Sequence, residues 1–248
     1  MNPVSPASHL AMNGILIVDK PNGWTSHDVC AFVRSRFKIS KVGHAGTLDP
    51  LATGVLVLLL GKATKRSMEL TACDKDYDGI MELGIKTDSH DRNGKVIGEK
   101  PFESVTFEAV CEKVREFTGE IIQTPPMVSA LKHQGVRLYK LARQGREVPR
   151  EGRKVVVHEF RIERKEGPKV YFHARVSKGT YLRTLVNDLG EALGCFATLA
   201  ELRRIRSGQF SLQDSVTIET LKQITAEEFY QKIHPFRLIS SYVHPLRA

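Results

Sequence analysis

The run Val55-Leu56-Val57-Leu58-Leu59-Leu60 constrains this chain more than any other feature, because six consecutive branched aliphatic residues leave no face for water. Gly54 and Gly61 bound it, so it fits a short strand covered on both faces. A strand of that kind needs neighbours in a sheet and layers packed above and below. It is also the longest apolar run among the 248 residues, far below the roughly 20 that a membrane-spanning helix requires.

The rest of the chain supplies both element types. Residues 1–13 lack pattern and read as a flexible tail, and Gly14 to Asp19 reads as a short strand. Thr25 with Asp28 three positions on has the form of a capping box, after which Val29, Phe32, Val33 and Phe37 share one helical face. Phe107, Val110, Val114 and Phe117 recur at helical spacing ahead of Gly119, and Leu182, Leu185, Leu189 and Leu193 do so ahead of Gly194. Val170, Phe172, Ala174 and Val176 alternate with polar residues, a half-buried strand that pairs with Val155 to Ile162 through the turn at Glu166-Gly167-Pro168. Hairpin strands interleaved with helices predict an α+β fold with a mixed, largely antiparallel sheet and flanking helices. Residues 14–248 are expected to form one domain.

Charge narrows the partner. Lys and Arg number 37 against 28 Asp and Glu, a formal charge of +9, which favours an anionic partner, nucleic acid first. The surplus concentrates between Lys132 and Lys165, where 11 basic residues face 4 Glu. That stretch is either a solvated surface or a track for phosphates, and the cluster Arg203, Arg204 and Arg206 favours the track. Cys30, Cys73, Cys111 and Cys195 form no Cys-x-x-Cys pair and read as buried thiols of a reducing compartment, with no metal site. The first basic residue is Lys20, and Ile15 to Val18 is too short and too late for a secretory signal, so a cytoplasmic protein is expected.

The segment Gly43-His44-Ala45-Gly46-Thr47-Leu48-Asp49-Pro50-Leu51-Ala52-Thr53-Gly54 leads directly into the apolar run. Three glycines and a proline in twelve residues demand a defined loop rather than a generic connection. Asp49, extended by the proline after it, is a nucleophile, a general base or a turn residue. Its spacing alone does not choose among them.

This loop resembles the catalytic motif of the TruB family of tRNA pseudouridine synthases, Gly-His-x-Gly-x-Leu-Asp-Pro-x-Ala-x-Gly, without a gap. Further blocks follow the family's order: Lys20-Pro21-x-Gly23-x-Thr25-Ser26, Lys75-x-Tyr77, Leu83-Gly84-x-x-Thr87-Asp88-Ser89-x-Asp91, Pro125-Pro126-x-x-Ser129-Ala130-x-Lys132, and Lys178-Gly179-Thr180-Tyr181-Leu182-Arg183-Thr184. The resemblance covers about residues 14–210 and implies the pseudouridine synthase fold with a central catalytic cleft. It also implies the reaction, conversion of uridine at position 55 of the tRNA T-loop to pseudouridine on a flipped-out base. No redox change or hydrolysis occurs, so neither cofactor nor metal is implied.

By the same resemblance Asp49 is the catalytic carboxylate, acting on the sugar anomeric carbon or assisting an elimination. Arg183 is the guanidinium that keeps it ionised and oriented, and Tyr77, flanked here by Asp76 and Asp78, stacks on the flipped base. His44 fills the space that the base vacates. Lys20 and Pro21 support the pocket, Tyr181 lines it and Leu202 meets the uracil, while Asp91 anchors the loop from Thr87 to Gly94. The basic segment 125–165, with Lys132, Arg143, Arg146 and Arg150, corresponds to the part that clamps the T-loop. Longer relatives continue into a C-terminal PUA domain, which this chain is expected to lack. The expected protein is a monomer that binds the tRNA T-arm, with no membrane and no obligate protein partner. Its rivals are a catalytically silent tRNA-binding or tRNA-folding protein on the same scaffold, and a ribosome-assembly protein.

Overall fold

The computed structural model describes residues 12–129 and 131–235, without the side chains of Lys132 and Arg143. The chain clusters into two compact units, one formed by its beginning and end and the other by residues 74–204.

The first unit opens with β1 (Gly14–Lys20), α1 (Ser26–Arg36), β2 (Val42–Ala45) and β3 (Thr53–Leu60), followed by the short α2 (Ser67–Thr71). The apolar run is β3, paired antiparallel with β1 from Gly14↔Leu60 to Lys20↔Gly54 and with β2 from Val42↔Leu60 to Ala45↔Val57. Alternate residues Ile15, Ile17, Val55, Val57 and Leu59 close over Ala45, Ala63 and Phe210 in one core, and the intervening Leu16, Val18, Leu56 and Leu58 are buried as well. α1 starts at the expected cap. Thr25 accepts the Asp28 N–H while the Asp28 carboxylate accepts the Thr25 N–H at 2.8 Å. Residues 1–11 of the expected tail lie outside the described residues, whereas Asn13 accepts the Lys62 N–H at 2.6 Å.

The second unit contains β4 (Lys75–Leu83), the small ribbon β5 (Ile85–Thr87) and β6 (Val96–Glu99), α3 (Phe107–Val114) and β7 (Gly119–Gln123). It continues through a two-residue ribbon, β8 (Lys132–His133) with β9 (Val136–Arg137), to α4 (Leu138–Arg143), β10 (Arg153–Glu166), β11 (Lys169–Val176) and α5 (Leu182–Ala192). Its sheet runs β4-β11-β10-β7, antiparallel throughout. The predicted hairpin is present, with Glu166 opposite Lys169, and α3 packs on β10 and α5.

β12 (Ala197–Ser207) then carries the chain back into the first unit, where β13 (Phe210–Ser211), β14 (Val216–Thr217), α6 (Ile218–Gln223) and α7 (Ala226–Gln231) complete it. β14 joins β1 in parallel, Val18↔Val216, so the sheet is mixed as expected. Phe37 after α1 stacks on Phe229 of α7 with ring centroids 3.6 Å apart.

Three expectations need correcting. Arg204 is 1% exposed and cannot belong to a surface phosphate track. Strand alternation places it with Leu202 on the covered face of β12. The basic stretch is not a uniform phosphate track, since its last third is β10, where Arg161 and Arg164 pair with Glu159, Glu163 and Glu166. Lys154 of the same strand pairs with Glu120 of β7. Of the cysteines, Cys30 and Cys195 are buried, but Cys73 and Cys111 are only half-buried.

Candidate active site

A catalytic carboxylate on a loop is useful only if that loop is held still, and a loop has no ladder partners to hold it. In the first unit, side chains from β1 and α1 take over that task. Gly46 (φ +88°) and Gly54 (φ +97°) adopt the left-handed backbone on either side of Asp49, where a side chain would be strained. Between them, Ser26 Oγ accepts the Leu48 N–H at 2.9 Å and donates to Leu48 O at 3.1 Å. Asn22 Nδ2 donates to Leu51 O at 3.0 Å, and the Gly23 N–H donates to Pro50 O at 2.9 Å. The residues directly before and after the half-buried Asp49 are therefore fixed through their own backbone groups.

Lys20 completes the arrangement. It is 0% exposed, and its ammonium donates to Pro21 O at 2.9 Å, Trp24 O at 2.6 Å and Pro50 O at 3.3 Å. A buried charge is tolerable when carbonyl dipoles replace its water, and here three do. Lys20, expected to support the pocket, thereby joins the Pro21–Thr25 turn to the Asp49 loop. Pro21 is half-buried at the turn's start. His44 stands in β2 with its ring edge-on to His27, centroids 5.8 Å apart.

The second unit holds the other candidates. Arg183, in the first turn of α5, is 3% exposed, and its fork is divided. Nη1 donates to Ser89 O and Nη2 to Val128 O, each at 2.9 Å, while Nε lies 3.6 Å from Asp91 Oδ2. Asp91 Oδ1 accepts from Ser89 Oγ at 2.8 Å and from the Asn93 N–H at 3.0 Å. The Thr87 hydroxyl reaches Asp91 O at 2.8 Å, and Leu199 of β12 forms a bridge with Asp91. The predicted anchoring of the Thr87–Gly94 loop by Asp91 is thus present, and the anchored loop grips the arginine.

His90, in the same loop, has a left-handed backbone (φ +62°), and its Nδ1 is buried. Loss of hydration, then the positive charges of Arg183, Lys86 and Arg150, push its pKa down to about 4. The imidazole therefore stays neutral beside the arginines.

Tyr77 sits in β4 opposite Ala174 of β11 and is 8% exposed. Strand alternation turns Asp76 and Asp78 to the face opposite Tyr77, where each meets a cation or an imidazole of β11. Asp78 Oδ1 lies 2.9 Å from His173 Nδ1, and Asp76 Oδ1 3.9 Å from Arg175 Nε. Tyr181, half-buried, caps α5 by position, and its peptide is bracketed by Gln123, whose amide accepts the Tyr181 N–H (2.8 Å) and donates to Tyr181 O (3.2 Å). Leu202 is 9% exposed in β12, and Arg146 is exposed beyond α4. Lys132 and Arg143 fall in β8 and α4, with side chains outside the described set. Among the described residues no three His, Cys, Asp or Glu side chains gather as metal ligands.

The family model for the N-terminal domain of TruB family pseudouridylate synthases matches residues 34–182, and that for the tRNA pseudouridylate synthase B C-terminal domain matches 183–247. This chain belongs to the TruB family. Its curated relatives include tRNA pseudouridine synthase B of Opitutus terrae, 45% identical over 90% of this chain and 93% of that protein. The enzyme of Geotalea uraniireducens is 50% identical over 84% of this chain and 67% of its own length. Among solved structures, a chain of the Cbf5-Nop10-Gar1 complex superposes with a TM-score of 0.73 at 31% identity, covering 95% of this chain and 64% of that one. The chain is accordingly a tRNA uridine isomerase with the pseudouridine synthase fold.

The join between the two family models falls at Arg183, inside the continuous helix α5, and so marks no structural boundary. Several residues that hold these loops through side-chain bonds escaped the sequence reading. Ser26 stood within a quoted block but had no role, and Gln123, a buried amide ending β7, carried no signal. Arg150, read as a phosphate contact, donates to Pro125 O at 3.2 Å and binds Glu147 at 2.9 Å.

Proposed function

We propose that this TruB enzyme isomerises uridine to pseudouridine in the T-loop of tRNA, at position 55, with Asp49 as the nucleophile toward a flipped-out nucleotide. The bond from N1 of the base to the sugar anomeric carbon breaks and one from C5 to that carbon forms. N1 gains a proton and C5 loses one, so the balance needs no oxidant, cofactor or metal. The observation that carries this reading is the immobilised Asp49 loop, in which Leu48, Pro50 and Leu51 are each bonded through their backbone to Ser26, Lys20, Gly23 or Asn22. Nucleophilic attack on an anomeric carbon demands near-attack placement, which such a loop supplies.

Tyr77 provides the ring face for the extruded base, and Arg183 is the guanidinium whose charge favours the ionised, oriented form of the catalytic carboxylate. Tyr181 and Leu202 line the base's surroundings, and His44 occupies the gap left in the T-loop. Lys132, Arg143 and Arg146 supply phosphate contacts. The protein works on the T-arm as a cytoplasmic monomer, with no protein partner.

The test uses a T-arm hairpin labelled with tritium at C5 of uridine, since every turnover releases that label. Asp49→Asn is isosteric and cannot act as a nucleophile; it is expected to release no tritium while still binding the hairpin. Turnover by a clean Asp49→Asn preparation would refute the assignment.

A further inference from the structure

The segment from Pro125 to Arg150 returns on itself. Arg150 Nη1 donates to Pro125 O at 3.2 Å, and Nη2 meets Glu147 Oε1 at 2.9 Å. Three residues after Pro125, Val128 O accepts from Arg183 Nη2 at 2.9 Å. One short stretch is therefore held by a guanidinium at each end. Pro125 and Pro126 restrict its backbone, so a displacement at Pro125 is transmitted to Val128 rather than absorbed between them.

Two further observations place Arg150 with this cluster rather than with RNA. Its side chain is 22% exposed, and the two Nη groups are engaged with Pro125 O and Glu147, whereas an arginine that reads phosphate presents its fork outward. It also stands within electrostatic reach of His90, as Arg183 does, and His90 lies between Ser89 and Asp91, both partners of Arg183.

We infer that Arg150 is a positioning residue for Arg183: by closing the 125–150 segment at Pro125 it fixes the Val128 carbonyl that holds the Arg183 fork. The inference rests on the role proposed for Arg183 in the reaction. It separates the basic segment into residues that meet RNA, such as Arg146, and one that aligns the catalytic unit.

The experiment compares the wild type with Arg150→Gln and Arg150→Lys as full-length chains. Single-turnover tritium release is measured at saturating T-arm hairpin, and hairpin binding is titrated at several salt concentrations. For Arg150→Gln the saturated rate is expected to fall about tenfold or more, with affinity within about twofold and an unchanged salt slope. Arg150→Lys, able to reach Pro125 O with one donor, should recover part of the rate. Weakened binding with a salt slope shallower by about one unit and an unchanged saturated rate would make Arg150 a phosphate contact and overturn the inference. Wild-type behaviour of Arg150→Gln in both measurements would overturn it too. If Arg150→Gln melts before assay, Arg150→Met, which keeps the stem but has no donor for Pro125 O, carries the test, and a wild-type saturated rate for it is the overturning result. An inactive wild type would instead refute the proposed reaction, which keeps the two failures distinct.

Discussion

Ser26→Ala is the sharpest test of the idea that the Asp49 loop works because it is immobile. The change deletes one oxygen, at a residue 2% exposed. That oxygen makes two bonds, accepting the Leu48 N–H at 2.9 Å and donating to Leu48 O at 3.1 Å. Alanine leaves both backbone groups buried without a partner, and each orphaned group costs about 1–3 kcal/mol. Partial relaxation of the loop offsets some of this, so the net loss is about 2–4 kcal/mol, which corresponds to a melting temperature lower by about 4–16 °C for a chain of this size. The kinetic effect has a separate origin. Leu48 precedes Asp49 directly, and misplacement of a reacting group by about 1 Å costs about 100-fold in rate. Single-turnover tritium release well below the melting transition should therefore fall by about 10- to 100-fold, with hairpin affinity retained. Ser26→Thr, which keeps the oxygen, should recover most of the rate. If Ser26→Ala lost stability as calculated yet turned over at the wild-type rate, the side-chain ties would stabilise the unit without aligning the carboxylate, and the reasoning would fail.

Arg183→Lys should lose at least about 100-fold in saturated rate despite keeping its charge, because one ammonium cannot serve Ser89 O, Val128 O and Asp91 from three separated nitrogens; single-turnover assay checks this. His90 binds its proton more weakly when folded (about 4) than when unfolded (about 6.5), so the unfolded state takes up more protons between those values. Stability should be constant above about pH 6.5 and fall as the pH drops toward 4, and His90→Asn, which tolerates the left-handed backbone, should show a flatter melting-temperature profile over that range. Whole tRNA and the T-arm hairpin should bind with similar affinity and similarly steep salt dependence if the basic residues around Arg146 carry the grip; a large preference for whole tRNA in titrations would refute that.

Features written locally in the sequence were legible. The Thr25/Asp28 capping box, the leucine spacing of α5 and the doubly apolar β3 each depend on residues a few positions apart, and each is present. The Asp91 turn is local too. Contacts that cross the chain were not legible. Ser26 with Leu48, Lys20 with Pro50, Gln123 with Tyr181 and Arg150 with Pro125 join residues 22 to 58 positions apart. Residue type alone gives no pairing at such distances. Arg204 failed for a different reason: its basic neighbours suggested a surface, while the period-two alternation with buried Leu202 already pointed inward. Periodicity was the better guide there, because it follows from strand geometry whereas clustered charge has several causes.

The unpredicted contacts share one chemistry, which explains why they gather near the candidate catalytic residues. Lys20, Ser26, Gln123, Arg150 and Arg183 each donate from a side chain to a backbone carbonyl of a loop or an element end. Within a sheet those carbonyls would be satisfied by a neighbouring strand, but an active-site loop must leave the ladder to face a substrate. Side-chain donors replace the missing partners and hold the carbonyls without occupying the surface that the loop presents. A cation serves best where several carbonyls converge, as with the three around Lys20 and the two around Arg183, because charge-assisted bonds are the stronger ones. Part of the chain's basic surplus thus braces loops from within each unit rather than facing solvent.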